Sequence, residues 1–208
     1  MAEDPRPRID GKLYALLLSR LGEVGRKDVE WSEGVLPPVD AESFAWEAIW
    51  IICNSGMKHD VARVIERRVA DAIREGRPVS TAFGHPGKAA AMQAIWDRRE
   101  EMFRDYVASE DKMAYIASMP WIGQVTKFHL AKNFGLDVAK PDVHLARLAQ
   151  REGEDVQAMC ARVAAEVGVR VATVDLVLWR ACATGLLDSR SGRLRDWGGA
   201  CMTPDDGA

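Results

Sequence analysis

The residues with types and spacing suited to chemistry lie between positions 113 and 148. Met119-Pro120-Trp121-Ile122-Gly123 reads as a tight turn between two short helices, with Gly123 allowing close backbone approach. The amides after Gly123 open the second helix unpaired, and unpaired amides at a helix N-terminus attract anions. Lys127, in the first turn of that helix, adds a point charge for a phosphate. Farther on, Pro141 sets Asp142 at the head of the next helix. A carboxylate there is kept ionised by the free amides and the helix dipole. It can stabilise developing positive charge or activate water, and it can equally be a plain N-cap. His144 either caps the same helix or touches a phosphate.

These residues sit in a chain of 208 amino acids, enough for one compact unit or two small lobes. A core can form without disulfides or structural metals. The net charge of −3 argues against bulk nucleic-acid affinity, but the charge is uneven. Residues 112–151 carry Lys112, Lys127, Lys132, Lys140, Arg147 and Arg151 against Asp137 and Asp142, a locally basic face. No apolar run reaches the ~18 residues of a membrane span, and the N-terminal residues lack the apolar core of a secretory signal. Cys53, Cys160, Cys182 and Cys201 lie far apart with no C-x-x-C, so the expectation is a reduced, cytoplasmic protein.

The elements that must position the chemistry are helical. Ile9, Leu13, Leu16, Leu17 and Leu21 make one apolar stripe. Residues 41–53 follow Pro37-Pro38 and a cap at Asp40, and are apolar nearly all round, which predicts a buried central helix. Residues 59–75 are amphipathic, a Gly/Pro loop follows, and one long helix is expected over 88–107. Shorter helices are predicted near 110–118, 124–134, 142–150, 154–167 and 171–186, punctuated by Gly123, Gly135, Gly153, Gly168 and Gly185. No period-two alternation is long enough for a sheet, so the class is all-α. The ends, 1–8 and 198–208, read as flexible.

With the hairpin and Lys140-Pro141-Asp142-Val143-His144 both in view, the chain resembles the helix-hairpin-helix DNA glycosylase superfamily. Ile52-Cys53-Asn54-Ser55-Gly56 and Val174-Asp175-Leu176-Val177-Leu178-Trp179-Arg180 add to the resemblance, which covers about residues 41–187. It implies a two-lobed helical fold with the active-site cleft between lobes. One lobe would span 41–135 and include the hairpin at 110–134; the other would combine 9–40 with 136–197. It implies a monomer acting on double-stranded DNA, flipping a damaged or modified base and hydrolysing its N-glycosidic bond, in base-excision repair or in defence against modified phage DNA. Asp142 would be catalytic. Asn54, Ser55, Met57 and Lys58 would supply the wedge that fills the gap. Met119, Trp121, Gly123, Val125, Thr126, Lys127 and His144 would contact DNA. Trp46, Val125 and His129 would line the base pocket. The backbone carbonyls of Ala117, Met119 and Ile122 would bind Na+ or K+, and no cofactor is otherwise required.

Three departures from the family pattern refine this. Trp121 replaces the first hairpin glycine. Val125 stands where bifunctional members carry the lysine nucleophile, so an intact abasic site is the expected product. The C-terminal four-cysteine iron–sulfur loop is missing. A catalytically silent DNA-binding module and a glycosylase/lyase acting through Lys127 or Lys140 remain the alternatives.

The other polar and aromatic residues have plainer readings. His59 starts a surface helix. His85, in Phe83-Gly84-His85-Pro86-Gly87-Lys88, belongs to a loop that opens a helix, since Ala82 and Ala89 break the phosphate-loop pattern. Trp46 and Trp50 are core partners at i, i+4. Asp175 and Arg180 are structural polar residues. Arg63, Arg67, Arg68, Arg74 and Arg77 form a solvated face.

Overall fold

The computed structural model describes residues 7–195. These form ten α-helices and one short 3-10 turn at Val79–Thr81, with no strand among the described residues and one isolated antiparallel bridge, Leu187–Leu194. None of the described helices is long and apolar enough to cross a membrane. Residues 1–6 and 196–208, with most of the expected flexible end 1–8, all of 198–208 and Cys201, lie outside the described residues. The chain divides into two compact units: residues 36–135, and residues 7–35 together with 136–195.

The first of these units is built around α2 (Ala41–Asn54). Asp40 starts it: its carboxylate accepts from the Ser43 amide at 2.7 Å, and the Asp40 amide donates to Ser43 Oγ at 3.3 Å. This reciprocal pair satisfies two groups at the helix start. Phe44, Ala45, Ala48, Ile49, Ile51, Ile52 and Cys53 are all fully buried. Four helices pack around α2: α3 (His59–Arg74), α4 (Pro86–Asp97), α5 (Arg99–Ala108) and α7 (Thr126–Asn133). Phe44 stacks on Phe134 at 5.0 Å and meets Tyr106 at 5.4 Å, so one aromatic cluster ties α2 to α5 and the end of α7. The long helix expected over 88–107 is instead α4 followed by α5. The break is at Arg98, which caps both and donates its amide to the Ala94 carbonyl, with no glycine or proline to mark it.

The second unit contains α1 (Gly11–Gly34), α8 (Val143–Glu152), α9 (Val156–Val167) and α10 (Val171–Ala183). Asp10 caps α1 through the Leu13 amide at 2.9 Å, so Ile9 lies just before the helix. Gly22, at φ 61 and ψ −128, breaks α1 into two segments. α10 is the centre, buried on nearly every side and packed against α1, α8 and α9. Leu17, Leu145, Leu148, Met159, Val163, Val174, Val177 and Leu178 are fully buried in this core, worth roughly 1.5–3 kcal/mol per side chain. Arg180 donates to both carboxylate oxygens of Asp28, at 2.7 and 3.0 Å, giving the buried charge the fork-shaped pairing it needs.

Candidate nucleic-acid interface and candidate active site

The hairpin is α6 (Lys112–Ser118), a turn, and α7. Asp111 caps α6 by accepting from the Ala114 amide at 2.9 Å. Met119 and Ile122 are buried and hold the turn from inside, with the Ile122 amide donating to the Met119 carbonyl at 3.2 Å. Trp121 and Val125 are about half exposed, and Gly123 and Gln124 are exposed between them. α7 begins without a side-chain cap, so its first amides remain available. The Lys127 and Phe128 amides are not among these, since they donate to the Gly123 carbonyl at 2.9 Å and the Val125 carbonyl at 3.2 Å. Lys127 Nζ donates to Gln124 Oε1 at 3.0 Å on the same exposed turn, and Thr126 beside it is half-buried.

The left-handed residue of the turn is Trp121, at φ 64, and not Gly123 as the sequence pattern predicts. A Cβ at Gly123 would meet nothing within 4 Å, so this glycine leaves open space in front of the amides. The Trp121 ring is laid back on α4: a Cβ on Gly87 would overlap it, and its edge meets the His85 imidazole at 5.1 Å. His85 itself caps α4, Nδ1 accepting from the Lys88 amide at 3.3 Å.

Lys88 connects this turn to the proposed wedge loop. Its side chain is buried, and Nζ donates to the Ser55 carbonyl at 2.5 Å. Burial lowers its pKa below the usual lysine value. Asn54 ends α2, Gly56 takes φ 72, Met57 is half-buried with its amide donating to the Asn54 carbonyl at 3.3 Å, and Lys58 is exposed at the start of α3. Residues 54–58 and 119–123, far apart in sequence, are thus joined through Gly87 and Lys88 into one edge of this unit. The reading of residues 83–88 as a plain loop missed this link, because the partner of Lys88 is a carbonyl thirty-three residues away.

The residues expected to line a base pocket are placed as follows. Trp46 packs on Trp96 at 4.7 Å and donates Nε1 to Glu42 at 3.2 Å. The recess it lines is shared with Glu66, Arg67, Ala70, Asp71 and Arg74, and contains neither Val125 nor His129. Val125 is exposed at the start of α7, and His129 is half-buried one turn on. The arginines of α3 are not simply solvated: Arg63 lies 3.8 Å over Trp50, and Arg74 lies 5.8 Å from the Trp46 ring. His59 is half-buried, edge-on to Trp50 at 5.5 Å.

Of the three carbonyls expected to bind Na+ or K+, those of Ala117, Met119 and Ile122, Met119 O accepts the Ile122 amide at 3.2 Å, which takes up one of its two lone pairs.

In the other unit, Asp142 is the N-cap of α8. Both capping bonds fall on one oxygen: Oδ1 accepts from the His144 amide at 2.9 Å and the Leu145 amide at 3.0 Å. Oδ2 has no hydrogen-bond donor among the described residues, and the side chain is half-buried. The carboxylate is therefore held at one end and open at the other. His144 Nδ1 lies 3.0 Å from the buried Ser189 Oγ, which fixes the ring from the segment after α10. Beneath lies Cys182, its thiol pushed up to about 12 by burial, then by the negative charges of Asp142 and Asp188. Ser189, Cys182 and Asp188 carry no local signal, because each lies forty or more residues from Asp142.

No family model, no curated protein and no solved structure matches the chain, so the function has to be read from this geometry.

Proposed function

We propose that the chain is a monofunctional DNA glycosylase for a damaged or modified base. The observation that carries the reading is Asp142: a carboxylate anchored through Oδ1 at a helix N-terminus with Oδ2 unengaged. Breaking an N-glycosidic bond sends the bonding electron pair to the base and leaves positive charge on C1′ and the ring oxygen. An ionised carboxylate beside C1′ stabilises that charge. Water then adds its oxygen to C1′, and its proton passes to Oδ2 and on to the departing base or solvent. The products are a free base and an abasic site.

An N-glycosidic bond inside a duplex cannot be reached, so the nucleotide must be extruded at a cost of a few kcal/mol. The joined edge of residues 54–58 and 119–123 supports that step. The open Thr126 amide at the start of α7 and the half-buried Lys127 would grip backbone phosphates, and Asn54 and Met57 would fill the gap. His144, steadied by Ser189, would contact a phosphate beside Asp142. Val125 offers no amine, so no Schiff base forms there and the strand stays intact.

The test is a panel of duplexes, each with one alkylated purine, oxidised purine or enlarged pyrimidine, incubated with the full chain and then treated with hot alkali. The expected result is strand scission at one base class, and only after alkali. Intact DNA binding with no abasic site on any duplex would instead identify a silent DNA-binding module. A borohydride-trapped adduct would identify a lyase.

A further inference from the structure

We infer that the outward face of α8 is a phosphate-binding site built from Arg147, Arg151 and Arg190. His144, Arg147 and Arg151 fall at i, i+3 and i+7, so they share one face of the helix. Arg147, Gln150 and Arg151 line a solvent-open recess of about 440 Å³, and Arg190 completes it from the segment after α10. The hydrogen-bonding contact of His144 with Ser189, next to Arg190, holds that segment against α8.

The recess is organised around a guanidinium. Gly192 is buried at φ 71, and a Cβ there would overlap the Arg151 guanidinium, so only a glycine lets that group lie where it does. Arg151 Nη1 is buried and has no hydrogen-bond partner among the described residues. Such an unmade bond costs roughly 1–3 kcal/mol.

The acids nearby are committed elsewhere. Glu152 pairs with Arg8 at 3.8 Å and Arg162 at 3.7 Å, and Glu154 pairs with Arg162 at 3.0 Å. Asp188 accepts from the Arg190 and Ser191 amides at 2.8 and 3.1 Å and pairs with Arg195 at 3.3 Å. None of the three recess arginines has a carboxylate partner among the described residues. Like charges gathered without a counter-ion repel, and a bound anion reverses the sign. Phosphate fits best, because its oxygens match the planar forked donors of arginine.

The inference deepens the glycosylase reading and rests on it for the source of the phosphate: DNA backbone next to the nucleotide at Asp142, which heads the same helix. The experiment reads binding only, so a chain that releases no base can still satisfy it. The full chain carrying Asp142→Asn is titrated with a short undamaged duplex bearing 5′-hydroxyl ends, over a range of salt concentrations. Arg147→Gln and Arg190→Gln should each lower the slope of log affinity against log salt by about 0.9. Arg26→Gln, an exposed site on α1, should leave it unchanged. In parallel, inorganic phosphate is titrated by calorimetry. If phosphate binds the Asp142→Asn chain, binding is lost in Arg147→Gln, and the duplex slopes do not move, the site stands and its ligand is a small phosphate. If the arginine replacements change neither duplex binding nor phosphate binding, the site is refuted. Arg151→Gln extends the series, and Arg147→Gln and Arg190→Gln keep the test valid should that variant fold poorly.

Discussion

The Trp121 indole occupies the space that a side chain on Gly87 would need. Its backbone takes φ 64, a conformation that costs a bulky residue roughly 1–2 kcal/mol. The seat against Gly87 and His85 offsets that cost, so the hairpin turn and the start of α4 behave as one steric unit. Gly87→Ala is expected to destabilise the protein by about 1–3 kcal/mol through overpacking. In a Trp121→Gly background the same change should cost close to nothing. Urea denaturation of the four proteins of this double-mutant cycle measures the coupling. Equal losses in both backgrounds would mean the ring does not depend on Gly87.

Much of this was legible where the signals are local. The apolar run from Phe44 to Cys53, interrupted only by Glu47, announces a buried helix, and Asp40 and Asp142 announce helix starts because an N-cap bonds within three residues. Features that depend on distant chain were not legible. The Arg98 break has no residue type that marks it, Lys88 looks like any helix-start lysine until Ser55 covers it, and Gly192 gains meaning only when Arg151 lies against it. The turn shows the limit most plainly. Pattern assigns the backbone freedom to Gly123, while the left-handed residue is Trp121, held by a partner thirty-four positions earlier.

Lys88→Met should loosen the loop that Lys88 ties down. The bond from Nζ to the Ser55 carbonyl involves a charged donor, worth about 1.5–3 kcal/mol locally. Methionine fills the space without the bond and without the desolvation cost of a buried ammonium. Hydrogen exchange should speed up at least tenfold at the amides of 56–58, while global stability holds or rises. Unchanged exchange at those amides would show that the loop is ordered by something else.

The buried thiols predict a marked alkaline weakness. Burial pushes both Cys53 and Cys182 up to about 12, from an ordinary value of 9.0. Each binds its proton more tightly folded than unfolded. Their contribution to stability is therefore complete below pH 9 and drains away between pH 9 and 12. Tyr14, also raised to about 12 from 10.0, acts in the same direction over the upper part of that window. The urea midpoint should be flat from pH 7 to 9 and fall steeply above it, less so in Cys53→Ala/Cys182→Ala. A midpoint that stays level to pH 11 would contradict the burial of these groups.

Asp142→Asn tests the central claim most directly. Asparagine is as good an N-cap as aspartate, so the two bonds to the His144 and Leu145 amides and the start of α8 should survive. Only the negative charge is removed. With a duplex that the native chain converts to an abasic site, single-turnover base release should slow by at least 10²–10³, as for other electrostatic groups in active sites, while duplex affinity stays within a few-fold. Base release at the native rate by a folded Asp142→Asn protein would show that this carboxylate is a helix cap and nothing more.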